Sequence, residues 1–419
     1  MKIKSLVISW QIILVITHYF NSVHAQIPNK VNKEQIKTVF LSQNTANELI
    51  VDNLCLDIER QGNINLIFDD LNLANTNFFL RIIHCQSDWK PSTLNDIEYL
   101  ADFNDIPVRY PETSMGTKMP YKQYKISLPK VKISGNYIAM IYANRNKRDT
   151  VLTKRFSIYQ NEINIGAKIS FAKSNLLRST HQFIDLNLGY PSNYLINSDE
   201  NLKIEVRKNN QPKNFLPKIP TPMVQAIERR ITYQFYNQEN AIPGGNEFRL
   251  IDLRSTQQRL NFVGQINTLD RYFEILIIPE QAQGNYSYVQ RPDFNGAFVI
   301  ANYENPNNPL QADYVWCTFI FKSRKFEDEK IYVNGAFNSY ELNNLNQLQY
   351  DETRGAYLGR VLLKQGIYNY QFVSSNPLNN ILEGNHSETE NYYEVLVYFR
   401  KPGERYDSFI GYQKIHFPL

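Results

Sequence analysis

Phe78-Phe79-Leu80-Arg81-Ile82-Ile83 runs straight into His84-Cys85-Gln86-Ser87-Asp88-Trp89-Lys90-Pro91-Ser92, and the reading of these residues decides between an enzyme and a β-protein. No other part of the chain gathers so many chemically capable side chains. Taken as a site, His84, Cys85, Ser87 and Lys90 would supply a base and two nucleophiles. Taken as an apolar strand leaving for a long loop, the same residues need no chemistry. His84 and Cys85 are neighbours on an extended run, so they project to opposite faces of a sheet and cannot act on one atom. The second reading is the better supported.

Working outward from that strand, the chain reads as β throughout. Aromatic residues make up 13% of it, with 28 Tyr and 24 Phe, and helical periodicity is scarce after the N-terminal apolar run. Residues 26–160 hold strand candidates at Ile36 to Leu41, Leu49 to Ile58, Asn63 to Phe68, Phe78 to His84, Tyr121 to Leu128, Asn136 to Ala143 and Val151 to Tyr159. Short strands separated by polar turns predict an immunoglobulin-like sandwich. Residues 161–309 repeat the style at His181 to Leu188, Leu202 to Arg207, Ile231 to Tyr236, Phe248 to Leu253, Tyr272 to Ile278 and Ala297 to Tyr303. Asn305-Pro306-Asn307-Asn308-Pro309 reads as a linker, leaving 310–419 as a C-terminal sandwich. The expectation is therefore a mainly β protein of three tandem sandwiches.

Residues 86–120 interrupt the first sandwich with Pro91, Pro107, Pro111 and Pro120 and no alternating run. A loop of about 35 residues in a compact domain is either functional or partner-binding, or else a locally packed cap. A short helix around Leu94 to Tyr99 belongs to the second alternative, and loop length does not separate the two.

The N-terminus carries an export address. Lys2 and Lys4 precede an apolar run from Leu6 to Ile16, and Val23-His24-Ala25 fits a small-x-small cleavage site, so residues 1–25 are expected to leave as a signal peptide. That run is too short to span a membrane, and no Cys beside the cleavage site would take a lipid. Residues 1–25 hold two lysines and no acid, so their removal lowers the formal net charge from +4 to +2. Nucleic acid and anionic membranes are poor partners for such a chain. Three cysteines exclude a disulfide scaffold; Cys55 and Cys85 could form one bridge or remain buried thiols, and Cys317 reads as core.

The enzyme motifs are missing or incomplete. Ser87-Asp88-Trp89-Lys90 fits S-x-x-K, but neither S-D-N nor K-T-G accompanies it. G-x-S-x-G, H-E-x-x-H, the Walker loop and G-x-G-x-x-G do not occur. After the leader only His84, His181, His386 and His416 remain, too far apart in sequence to suggest a zinc site. Asp102-Phe103-Asn104-Asp105 lacks the Gly and Glu of a calcium loop, and Asp69-Asp70 reads as a turn ending a strand. No catalytic, cofactor or metal residue is assigned, and no cofactor is expected.

Near the C-terminus, Lys330-Ile331-Tyr332-Val333-Asn334-Gly335-Ala336-Phe337-Asn338-Ser339-Tyr340 followed by Gly366-Ile367-Tyr368-Asn369-Tyr370-Gln371-Phe372-Val373 resembles the starch- and glycogen-binding immunoglobulin-like modules. Those modules stack an exposed aromatic on the sugar ring. The resemblance implies that role for Tyr340.

A resemblance over the whole chain is carried by ordered blocks. Phe68-Asp69-Asp70-Leu71, His84 to Ser92 with Glu98-Tyr99-Leu100, and Ser134-Gly135-Asn136-Tyr137 are similar to the first domain of the type IX secretion system plug proteins. The likeness continues through Gly245-Asn246-Glu247-Phe248-Arg249, Ala312-Asp313-Tyr314-Val315, Leu363-Lys364-Gln365-Gly366-Ile367-Tyr368-Asn369-Tyr370, Thr389-Glu390-Asn391-Tyr392-Tyr393-Glu394-Val395 and Arg405-Tyr406-Asp407. It implies a non-enzymatic periplasmic protein that binds the outer-membrane translocon barrel of that system and plugs it. It implies nothing about which side chains make the contact. The alternative expectation is a periplasmic glycan-binding protein using the C-terminal sandwich.

Overall fold

The computed structural model describes residues 25–43, 48–62, 64–192, 194, 201–376 and 380–418. Apart from Ala25, the expected leader lies outside the described residues. Nearly every regular element is a strand, as the composition requires.

Two sheets face each other in the first sandwich. One orders Lys30–Val31, Thr150–Tyr159, Gly135–Ala143, Phe78–Cys85 and Ile106–Val108, with Leu54–Asp57 running parallel to Thr150–Tyr159. The other orders Ile36–Ser42, Asn65–Asp70, Lys122–Ser127 and Glu112–Thr113. Alternation along Phe78–Cys85 explains the packing: Phe78, Leu80 and Ile82 enter the core with Phe68, Tyr124 and Phe156, while Ile83 and Cys85 face outward onto a separate small cluster. Each expected strand of this region is present with shifted ends. The largest change is at Leu49 to Ile58, where only Leu54–Asp57 is a strand and Ile50 instead bridges to Phe298.

Beyond residue 160 the sheets cross the expected boundary at 309. Leu202–Lys208 pairs with Asn391–Phe399, which pairs with Ser408–Phe417, and these three strands share a core with Asn164–Phe171 and His181–Gly189. Arg249–Asp252, Phe273–Ile277 and Phe298–Ile300 join a ten-stranded sheet with Tyr314–Lys322, Ala356–Lys364 and Gly366–Ser374. A middle sandwich is thus closed by C-terminal strands, and the ten-stranded body is inserted within it. The Asn305 to Pro309 run is a packed turn, in which the Asn308 side chain caps Leu310 and Tyr121 donates to the Pro309 carbonyl at 3.3 Å. Pro and Asn stop strands, but they carry no information about whether the strands on either side later pair.

Candidate functional site

His84 points into the first sandwich. Its Nδ1 lies 2.8 Å from Ser92 Oγ, and the rings of Tyr99, Tyr137 and Tyr406 surround it at 5.7, 5.0 and 5.5 Å. Burial pushes its pKa down to about 4, so the neutral ring is the resident form. Cys85 takes the opposite face, against Trp89 and Ile138, where burial pushes the thiol up to about 12. The two residues never meet over one atom. Cys55, Cys85 and Cys317 are free thiols, and burial raises all three, which makes each a poor nucleophile.

The chain then turns tightly, with Trp89 N–H donating to the Gln86 carbonyl and Trp89 held at φ 64. That conformation lays the indole under the Arg155 guanidinium at 4.5 Å and beside Arg207 at 5.9 Å. Ser87 and Lys90 do not form a pair. Lys90 Nζ binds Asp88 at 2.8 Å, whereas Ser87 Oγ donates to Asp407, 320 residues away, at 2.7 Å.

Asp407 is the centre of a clamp. Its carboxylate also accepts from Ser87 N–H at 3.0 Å, Lys203 at 3.1 Å and Arg400 at 2.8 Å. Burial alone would raise its pKa, but the Ser87 donors and the Lys203 charge outweigh burial and hold it below the usual carboxylate value. Gln86 lies alongside, donating to the Arg405 carbonyl at 2.8 Å and accepting from Asp407 N–H at 3.0 Å. Arg405 pairs with Glu98, whose carboxylate also accepts from Asn95 N–H in the capping box of the helix Asp96–Tyr99. Residues 86–100 therefore form a packed cap that fastens the first sandwich to the C-terminal hairpin of the middle one.

Two more joints use buried charge. Asp69 and Lys364 form an ion pair at 2.7 Å with both side chains inaccessible, and Tyr314 donates to the same carboxylate at 2.7 Å. Lys364 sits 4.0 Å from the Tyr121 ring centroid. Asp69-Asp70 is thus no turn: both residues complete the strand Asn65–Asp70, and Asp69 bolts the first sandwich to the ten-stranded sheet. Asp52 pairs with Lys154, accepts from Asn29 at 3.0 Å, and accepts from Ser339 of the ten-stranded body at 3.2 Å. Asn210 of the middle sandwich donates to the Asp52 carbonyl at 3.2 Å, so all three bodies meet there. Middle and inserted bodies are joined through Glu390 N–H, which donates to Glu247 at 3.1 Å.

The blocks singled out in the sequence come together in pairs at these joints: Asp69 with Tyr314 and Lys364, Ser87 with Asp407, His84 with Tyr406, Glu98 with Arg405, Glu247 with Glu390. Asp52, Lys154 and Arg207 went unnoticed. Their only sequence signal is a charge inside an otherwise apolar strand or beside one. Tyr340 is only partly exposed: its ring packs against the core of the ten-stranded body, burial raises its hydroxyl far above the usual range, and a Cβ on Gly296 would fall 2.5 Å from that oxygen. His84, His181, His386 and His416 do not converge, and among the described residues no group of three His, Cys, Asp or Glu could hold a metal ion. Two surface clefts, of 630 and 470 Å³, are lined by Glu162, Glu228, Arg229 and Tyr412 and by Phe79, Arg109 and Arg145 respectively; neither contains a nucleophile paired with a base.

No curated protein matches the chain. A crystal structure of a hypothetical protein from Parabacteroides merdae is similar over 94% of this chain and 100% of its own, at 27% identity and a TM-score of 0.84. The overall fold is therefore shared with that protein over nearly the whole of this chain. Residues 36–160, the first sandwich with its clamp loop, match the family model described as the type 9 secretion system plug protein 1st domain, the family that the motif blocks of this region resemble.

Proposed function

We propose that this protein is a non-enzymatic plug of the type IX secretion system, working in the periplasm, where it binds the outer-membrane translocon barrel and closes it when no cargo is engaged. One observation carries the reading: the family-like blocks are used to fasten the first sandwich, the middle sandwich and the ten-stranded body to one another, and none is presented around a cleft where a substrate could react. A pore that passes folded cargo also leaks, and blocking it calls for a stiff body. Packed sandwiches bolted by buried ion pairs meet that requirement. Release then needs only a ligand that competes for the translocon and shifts the plugged population. The glycan reading lacks comparable support, because the aromatic it relies on, Tyr340, is only partly exposed and packs against the core of the ten-stranded body.

Deleting the protein tests the proposal. Vancomycin, normally excluded by the outer membrane, should become more toxic while secretion continues in part. A strain lacking both translocon and plug should regain the barrier. Sensitivity that persists in the double deletion would overturn the assignment.

A further inference from the structure

The ten-stranded sheet has one face that ordinary solvent exposure does not explain. Along Tyr314–Lys322, Ala356–Lys364 and Phe273–Ile277 the side chains alternate: Val315, Cys317, Phe319, Val361, Leu363, Ile275 and Ile277 enter the core. The intervening positions hold Trp316, Ile320, Leu358, Leu362 and Leu276, each partly exposed, and none belongs to any of the protein's hydrophobic clusters. Register makes them one patch. Trp316 lies opposite Leu362, Ile320 opposite Leu358, and Thr318, between them, lies beside Leu276. The comparable outward face of the middle sandwich sets Lys168 opposite Asp185 and Gly166 opposite Asn187, the usual polar arrangement.

The patch also carries almost no free charge. Arg360 and Glu274 form an ion pair at 3.3 Å across it, and the Arg360 guanidinium lies 5.0 Å over the Trp316 ring. Gln265, Asn267 and Gln349 make a neutral rim, with Lys322 and the Asp351–Arg354 pair at the far margin. An aliphatic patch with an Arg-covered indole does not suit a sugar ring, and without a basic rim it does not suit an anionic lipid surface. Apolar centre, Trp and Arg anchors and a neutral polar rim are the composition of a protein contact. The same face is already covered by protein at one end, where Tyr314 and Lys364 lie under Asp69 and Tyr121 of the first sandwich. Four strands about 4.8 Å apart and roughly 20 Å long give about 400 Å². That is half of the ~800 Å² a stable partner buries on each side, so a second copy meeting only this patch falls short.

We propose that this face is the docking surface for an uncharged, apolar protein surface on a larger partner. Resting on the function proposed above, that partner is the translocon barrel, with the patch as the centre of the contact.

The test uses the full mature chain, tagged, against detergent-solubilised outer membranes of the source bacterium, with captured proteins identified by mass spectrometry. Ile320→Lys combined with Leu358→Glu places opposite charges directly across from each other, so they neutralise one another in the free protein while making the face polar. Equal melting temperatures confirm that it folds. The expected result is capture of one large outer-membrane barrel by the wild type, at least tenfold less by this variant, and unchanged capture by the control pair Lys168→Asp with Asp185→Lys. Equal capture of the barrel by wild type and variant overturns the docking face and leaves the plug reading standing. No barrel captured by the wild type overturns both. A wild-type dimer that the variant abolishes in sedimentation, or polysaccharide retention that the variant loses, assigns the face to another occupant and overturns the inference.

Discussion

Replacing Lys364 by methionine leaves Asp69 charged, buried and with only Tyr314 and Gln123 as donors. An uncompensated buried charge of this kind costs about 3–5 kcal/mol. The pair itself is not strongly favourable: burial lowers the pKa of Lys364, and the Asp69 carboxylate offsets only part of that cost. Removing both charges, as Asp69→Leu with Lys364→Met, should therefore return stability to within about 1 kcal/mol of wild type, since Tyr314 keeps Thr38 as a partner at 2.6 Å. The size of the melting shift adds a second reading. At about 2.1 cal/mol/K of unfolding entropy per residue, 4 kcal/mol lowers Tm by roughly 5 °C if some 390 residues melt as one unit, but by about 15 °C if a sandwich of about 130 residues melts alone. Calorimetry of the three variants decides. A single transition near 5 °C below wild type for Lys364→Met, with the double variant near wild type, supports one body joined by buried charge. A double variant as unstable as the single would refute the desolvation argument, and a shift below about 1 °C would remove the joint from the account.

Ser87→Ala should cost about 1 kcal/mol, the Ser87 hydroxyl bond to Asp407, and leave the antibiotic barrier intact, whereas Trp89→Ala should cost 3 kcal/mol or more from lost packing under Arg155. A Ser87 variant with an unchanged melting curve and a lost barrier would restore the catalytic reading of that serine. His84 should make stability pH-dependent: its folded pKa near 4 lies below the unfolded value near 6.5, so the unfolded chain binds the extra proton in between. Stability should thus fall as pH drops from 6.5 to 4, by about 3 kcal/mol, and denaturant titrations of His84→Gln should lose that slope.

The motif that opened the sequence was legible as structure because a strand's alternation separates His84 from Cys85 whatever the rest of the molecule does. The joints were legible only in part. Asp69 follows Phe68 and precedes another Asp, a pattern that local chemistry assigns to a turn, and its real partner Lys364 lies 295 residues away. Asp407 stood in a block recognised as family-like, yet no spacing connects it to Ser87. The interleaving after residue 160 was invisible for the same reason: Leu202–Lys208 and Asn391–Phe399 read as two ordinary strands, and nothing within either names the other as its neighbour. The packing of Tyr340 was not legible either, because its sequence context says nothing of Gly296, whose missing side chain makes room for the Tyr340 hydroxyl.

Leu202 pairs with Phe399. The inserted sheet, from Arg249–Asp252 to Gly366–Ser374, must therefore be made and parked as a separately closed body before the middle sandwich can finish. For a chain that emerges from its N-terminus, the order of completion is set: the first sandwich can close early, the inserted sheet next, and the middle one only when strands Asn391–Phe399 and Ser408–Phe417 arrive. Asp407, with Arg400 and Arg405, travels on that last hairpin, so the clasp on the first sandwich shuts in the same event. A chain threaded across a membrane would thus stay loosely articulated during passage and acquire its rigidity in one late step, on the side where it is to work.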